Sequence, residues 1–164
     1  MSFVWKFEID GDKEIIHDIG LAIDRTTDLG PVWPKVYDAW MAWQKKVFAT
    51  EGEAIGTRWE SLSPNYAAWK AKRYPGKTIL RRTDTLYHSL TKRSAKGTVY
   101  VPEKQALRIG TDISYAKYHQ SREPRRSLPR RPFIMLTPAM MTNFSKLIHK
   151  YLWKGGYRDR VFPK

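Results

Sequence analysis

Cysteine is absent from all 164 residues, which excludes disulfides and thiolate chemistry and is compatible with a reducing compartment. No apolar run approaches the roughly 18–20 residues needed to cross a bilayer, so no membrane partner is expected. The opening residues, MSFVWKFEIDGDK, lack the basic start and long apolar stretch of a secretory signal. The ten glycines are scattered and form no phosphate-cradling loop. His17, His88, His119 and His149 lie far apart, with no i, i+4 pair and no cysteine nearby, so neither a metal nor a cofactor is expected. Acidic residues are scarce in the second part of the chain. Only five of sixteen lie beyond residue 63, poor ground for a carboxylate pair or a two-metal nuclease site. Together these absences argue against an enzyme.

What is present describes a folded, unevenly charged domain. Hydrophobic residues make up 41% and aromatics 13%, too many for a disordered chain, and the length suits one domain. Residues 1–63 carry 7 basic and 11 acidic side chains, a net −4, whereas residues 64–164 carry 23 and 5, a net +18, giving the overall +14. Such asymmetry points to an acidic partner for the second part, either nucleic acid or a negative protein surface.

Periodicity supplies the elements. Phe3, Trp5, Phe7 and Ile9 alternate with Val4, Lys6 and Glu8, which predicts a strand over 2–9 closed by Asp10-Gly11. Ile15, Ile16, Ile19, Ala22 and Ile23 predict a helix from Lys13 to about Asp28, stopped by Gly30 and followed by a restart at Pro31. Val36, Trp40, Trp43, Val47 and Phe48 predict a second helix over 32–50, ended by Gly52 and Gly56. Ser63-Pro64 opens a short helix that stops near Tyr74-Pro75-Gly76, and Thr83 is read as the cap of another bearing Leu86 and Leu90. Thr98–Val101 and Ala106–Ile109 form a hairpin about residues 102–105. Pro138 opens a last helix to about Trp153, with Met141, Phe144, Leu147, Ile148 and Tyr151 read as facing inward. Grouped helices and strands give an α+β class, a small antiparallel sheet packed against several helices. The domain is placed at 1–153, with a basic tail at 154–164.

Residues 113–134, ISYAKYHQSREPRRSLPRRPFI, carry the most concentrated chemistry. Tyr115, Tyr118, His119 and Gln120 run into a loop with arginines at 122, 125, 126, 130 and 131, which closes on Pro132, Phe133 and Ile134. Pro124, Pro129 and Pro132 argue against a helix or central strand, and arginine's planar fork suits phosphates and carboxylates. The reading is an extended cationic arm. Tyr115, Tyr118, His119, Gln120, Pro132, Phe133 and Ile134 are candidate subunit-interface residues. Arg122, Arg125, Arg126, Arg130 and Arg131 are candidates to face DNA or an acidic partner. So are Arg81, Arg82, Lys92 and Arg93, which flank the Leu86 helix. Solvated basic faces account for these clusters about as well. The seven tryptophans fit core packing better than a base-stacking platform, and His119 fits a hydrogen-bonded loop histidine better than a catalytic one. Pro102-Glu103-Lys104 has the composition of a metal-dependent nuclease corner but the wrong spacing, and a hairpin turn explains it better.

The order of these motifs resembles the phage virion morphogenesis family, the tail completion or neck proteins of Mu-like and related tailed phages. Members look like L-x-x-T-G-x-L-x-x-S, a V-x-V-G hairpin, Y-A-x-x-H-Q and P-x-R-P-F. The correspondence falls on Leu80, Thr83, Leu86 and Ser89, on Ile109-Gly110, on Tyr115, Ala116, His119 and Gln120, and on Pro129, Arg131, Pro132 and Phe133. Tyr66, Trp69, Lys70 and Lys72 also look familial, and the resemblance spans roughly residues 59–150. Asp84 stands where a glycine is usual, and Ser121-Arg122 follows His-Gln where a glycine is common. The resemblance implies a non-enzymatic, tail-terminator-like subunit of a ring at the head–tail junction or the top of the tail. Its partners would be five further copies, neighbouring connector and tail tube proteins, and phage DNA in the channel. It would reside in the virion neck, and in the host cytoplasm during assembly. Tyr115 and Phe133 would anchor the arm on an adjacent subunit. The alternative is a stand-alone, sequence-independent nucleic-acid-binding protein with strongly salt-dependent binding.

Overall fold

The computed structural model describes residues 12–121 and 128–153. The predicted strand over 2–9, the loop residues Arg122, Arg125 and Arg126, and the tail from 154 lie outside them. Six α-helices and a two-stranded antiparallel sheet form an α+β domain. The helices are α1 (Asp12–Thr27), α2 (Trp33–Ala49), α3 (Pro64–Arg73), α4 (Thr85–Thr91), α5 (Ala116–Gln120) and α6 (Pro138–Leu152). The strands β1 (Thr98–Pro102) and β2 (Leu107–Thr111) pair from Thr98 opposite Thr111 to Pro102 opposite Leu107. The hairpin is the expected one, its second strand shifted by a residue or two.

Helix α2 is the centre of the core. Tyr37, Trp40, Val47 and Phe48 are almost wholly buried and meet Leu86 and Leu90 of α4, Tyr100 and Ile109 of the hairpin, and Phe133. The Tyr37 and Tyr100 rings lie 4.5 Å apart, and Phe48 meets Trp59 edge-on at 5.3 Å. Fully burying a side chain of this size contributes about 1.5–3 kcal/mol, so this stripe is the main source of cohesion. Gln44 is a costly member of it. It is completely buried, with neither amide atom hydrogen-bonded among the described residues.

The chain leaves α2 through a turn that only glycine fits. Gly52 has φ +89°, and a Cβ there would sit 2.3 Å from the Thr57 carbonyl oxygen and 2.6 Å from the Trp59 ring. That close passage lays Trp59 against Phe48, and its indole N–H donates to the Pro132 carbonyl at 2.6 Å. A loop beside α2 is thereby tied to a segment 73 residues further on.

Three local readings are corrected. Helix α4 begins at Thr85 rather than being capped by Thr83. Its first flanking residue is Asp84, in the left-handed region at φ +57°, with no side-chain cap. In α6 the buried methionine is Met140, 4% exposed, while Met141 is 50% exposed, one position off the expected stripe. Helix α1 keeps its predicted span but not its inward face. Ile16, Ile19 and Ile23 are 67%, 44% and 59% exposed, and Asp18 and Ala22 are the buried residues. Helix α1 lies against α6, and Arg25 donates to the Leu152 carbonyl at 2.7 Å.

Candidate functional site

The familial motifs converge in space, and the pivot is Gln120 at the end of α5. Its amide nitrogen donates to the Ile134 carbonyl at 2.6 Å, and its amide oxygen accepts from the backbone N–H groups of Phe133 and Ile134 at 3.1 and 3.2 Å. The Arg131 N–H donates to the His119 carbonyl at 3.0 Å. A side-chain amide thus does for Phe133 and Ile134 what a neighbouring strand would do. Proline-rich sequence cannot pair as a regular ladder, so a glutamine clasp replaces it.

The burial around this clasp corrects the reading of Phe133 as an exposed anchor and of Pro132 as an exposed interface residue. Both are buried in the chain's own core, Phe133 being 1% exposed with its ring 6.3 Å from that of Phe48. Ile134 is half-buried against the same cluster. Gln120 is spent on the clasp. Tyr118 and His119 are half-buried, and only Tyr115 of the group stands well exposed.

The basic candidates divide in the same way. Arg131 is buried, its Nε donating to the Glu60 carbonyl at 2.8 Å and its Nη2 to the Ser61 carbonyl at 3.0 Å. Arg81 donates through Nε to Asp84 at 2.8 Å and lies 4.0 Å over the Tyr87 ring. Arg93 reaches Asp38 at 2.6 Å and the Pro34 carbonyl at 3.3 Å. Arg82, Lys92 and Arg130 are exposed, and Arg130 also donates to the Gln120 carbonyl at 3.4 Å.

Asp84 explains how a non-glycine residue can stand at the familial glycine position. Its φ of +57° is a conformation glycine would adopt freely, and its carboxylate is held by Arg81 and Lys77. The Arg81 hydrogen bond, against the opposing effect of burial and with help from Lys77, holds its carboxyl near pKa 2. The left-handed backbone is retained, and the ion pairs offset its strain.

Between the start of α3, residues 79–85, α5 and residues 128–131 lies a cavity of about 770 Å³. Lys70, Arg131 and His119 line it, with Arg81, Arg82, Tyr66 and Tyr115 around them. Lys70 is buried and donates to the Thr78 carbonyl; burial lowers its pKa, and Glu51 opposes that shift. Burial, with the Arg131 charge, also lowers the pKa of His119, and its buried Nδ1 has no hydrogen-bond partner among the described residues. Tyr66 stacks on Trp69 at 5.4 Å, and both are partly exposed. Sequence reasoning passed over this pocket because its cations come from 61 positions apart. Lys70 had only its familial context and its i, i+4 spacing from Tyr66 as signals. Among the described residues no group of His, Asp or Glu is placed to hold a metal ion, and no helix is long and apolar enough to cross a membrane.

The chain is a member of the phage virion morphogenesis family, whose match covers residues 12–153. The match extends well ahead of the motifs, taking in α1 and α2. No curated protein and no solved structure matches the chain. Membership implies a structural role in virion assembly and interaction with other virion components.

Proposed function

We propose that this protein is a ring-forming subunit of the head–tail junction or the top of the tail, of the tail completion or terminator type. Family membership supplies the assembly role. The observation that carries self-association is the outward apolar stripe of α1, where Ile16, Ile19 and Ile23 lie along one side of the helix in solvent. Among the described residues nothing covers these three isoleucines, and a neighbouring copy can supply that burial. Among the described residues no further strand extends the β1–β2 hairpin, whose edges, with the exposed Tyr115, offer further contact. Interface anchoring thus moves from Phe133 to α1 and Tyr115.

In a closed ring the +14 of each chain is multiplied by the number of copies. Of the candidate basic residues, the exposed Arg82, Lys92 and Arg130 are available to a DNA phosphate backbone in the channel or to an acidic neighbouring ring. Six copies is the count adopted. Sedimentation and native mass spectrometry of the purified full chain test the ring, with a closed hexamer as the expected species. Electron microscopy of particles labelled at the C-terminus tests its position, with the label expected at the head–tail axis. A label absent from every assembled head and tail overturns the proposal.

A further inference from the structure

We infer that the cavity between α3, residues 79–85, α5 and residues 128–131 is a socket for an acidic side chain on an extended segment of a neighbouring virion protein. The inference rests on the assembly role proposed above and names the partner chemistry of one surface. Lys70 and Arg131, each 4% exposed, line the cavity, yet their hydrogen bonds go to the neutral carbonyls of Thr78, Glu60 and Ser61. Among the described residues no carboxylate lies within ion-pair distance of either. Burying a charge without a counter-charge is expensive, so buried cations are ordinarily paired. Three carboxylates act on Lys70 and Arg131 from beyond ion-pair distance, Glu51 on both, Asp84 on Lys70 and Glu60 on Arg131. Asp84 is already engaged by Arg81 and Lys77, Glu51 accepts from the Ile79 N–H at 3.1 Å, and Glu60 is exposed, so none fills the cavity as a direct partner.

The shape selects the class of ligand. A carboxylate entering the cavity can meet Lys70, Arg131 and His119 together, while Tyr66 and Tyr115 stand ready for apolar residues on either side of it. Duplex DNA is too broad to enter, and its phosphates would reach only exposed cations such as Arg82 and Arg130. An extended peptide presents one side chain at a time to such a hole and leaves its neighbours on the aromatic rim.

The test uses the full chain and four probes: acetyl-Leu-Glu-Leu-amide, its Gln counterpart, inorganic phosphate and a short DNA duplex. Binding is followed by NMR of the His119 ring and by calorimetry. The Glu peptide should shift the His119 signals and bind roughly tenfold or more tightly than the Gln peptide, the difference expected for a charge-assisted hydrogen bond. Lys70→Met should erase that preference. Should this variant fail to fold, Arg82→Ser with Tyr115→Ala, both at exposed positions, should still weaken the Glu peptide severalfold. Equal binding of the two peptides, no movement of His119, or phosphate or duplex moving His119 more tightly than the Glu peptide would each overturn the socket. Particle composition separates the two proposals. A protein present in particles that ignores the Glu peptide loses only the socket, whereas one that binds the peptide but is missing from particles loses the assembly role.

Discussion

Helices α1 and α2 have nearly the same length and the same kind of apolar stripe, and the fold uses them in opposite ways. The stripe of α2 finds α4, the hairpin and Phe133, and becomes the core. The stripe of α1 finds nothing among the described residues. That helix lies against α6, tied by Arg25 to the Leu152 carbonyl, and its isoleucines face out. An amphipathic pattern therefore says that a helix has an apolar partner, not that the partner lies in the same chain. In a protein that works by assembly, the stripe left over is as informative as the stripe consumed.

The sharpest way to break this contrast is to damage each side and ask which property fails. Phe133→Ala should destabilise the subunit itself by about 3–5 kcal/mol, since the ring is packed in the core, and urea denaturation would show it. A folded, fully stable variant that merely fails to assemble would return Phe133 to the surface. Gln120→Ala should cost about 2–3 kcal/mol by orphaning the two amides and one carbonyl of the clasp, and faster hydrogen exchange at Phe133 and Ile134 would report the loss.

Gln44→Leu should go the other way, raising stability by about 1–2 kcal/mol, because it removes a buried amide with no partner at little change in volume. An unchanged or lowered melting temperature would mean that the amide is satisfied after all.

Asp84→Asn should lower stability at neutral pH by about 1–2 kcal/mol, a figure discounted because Lys77 and Arg81 are each about one-third exposed. The sign follows from Asp84 being ionised more readily folded than unfolded. Its contribution is complete above about pH 4, is lost as pH falls toward 2, and the two proteins should converge there. The smallest effect on the isolated subunit belongs to the triple change Ile16→Ser, Ile19→Ser, Ile23→Ser, within about 0.5 kcal/mol per site. The same variant should sediment as a monomer. A large loss of monomer stability would show that the α1 stripe is packed within the chain.

Where expectation and structure part, the reason is contact at long range. Pattern alone located the helices and the hairpin, since each is encoded by residues a few positions apart. It placed Ser63-Pro64 and Pro138 correctly at helix starts, and Gly52 just beyond the end of α2 at Ala49. It misjudged Met141 for Met140 because a stripe's edge depends on what packs against it. It took Phe133, Pro132 and Arg131 for an exposed arm because prolines and arginines suggest solvent. Gln120, Glu60 and Ser61 instead supply the partners that let them be buried. Neither the clasp nor the cavity has a local signature, each being built from residues more than ten positions apart.

What the amino-acid order determined by itself was therefore the class and the family: charge asymmetry, the absence of cysteine, the element sequence and four ordered motifs. Those are properties of composition and short-range spacing, which survive without coordinates. Only the tertiary structure decided that two of the motifs grip one another, that Lys70 and Arg131 share a hollow, and that the α1 isoleucines are left outside. Burial and pairing are relations between distant residues, and a side chain is an anchor, a brace or a ligand-binding group only once its neighbours are in place.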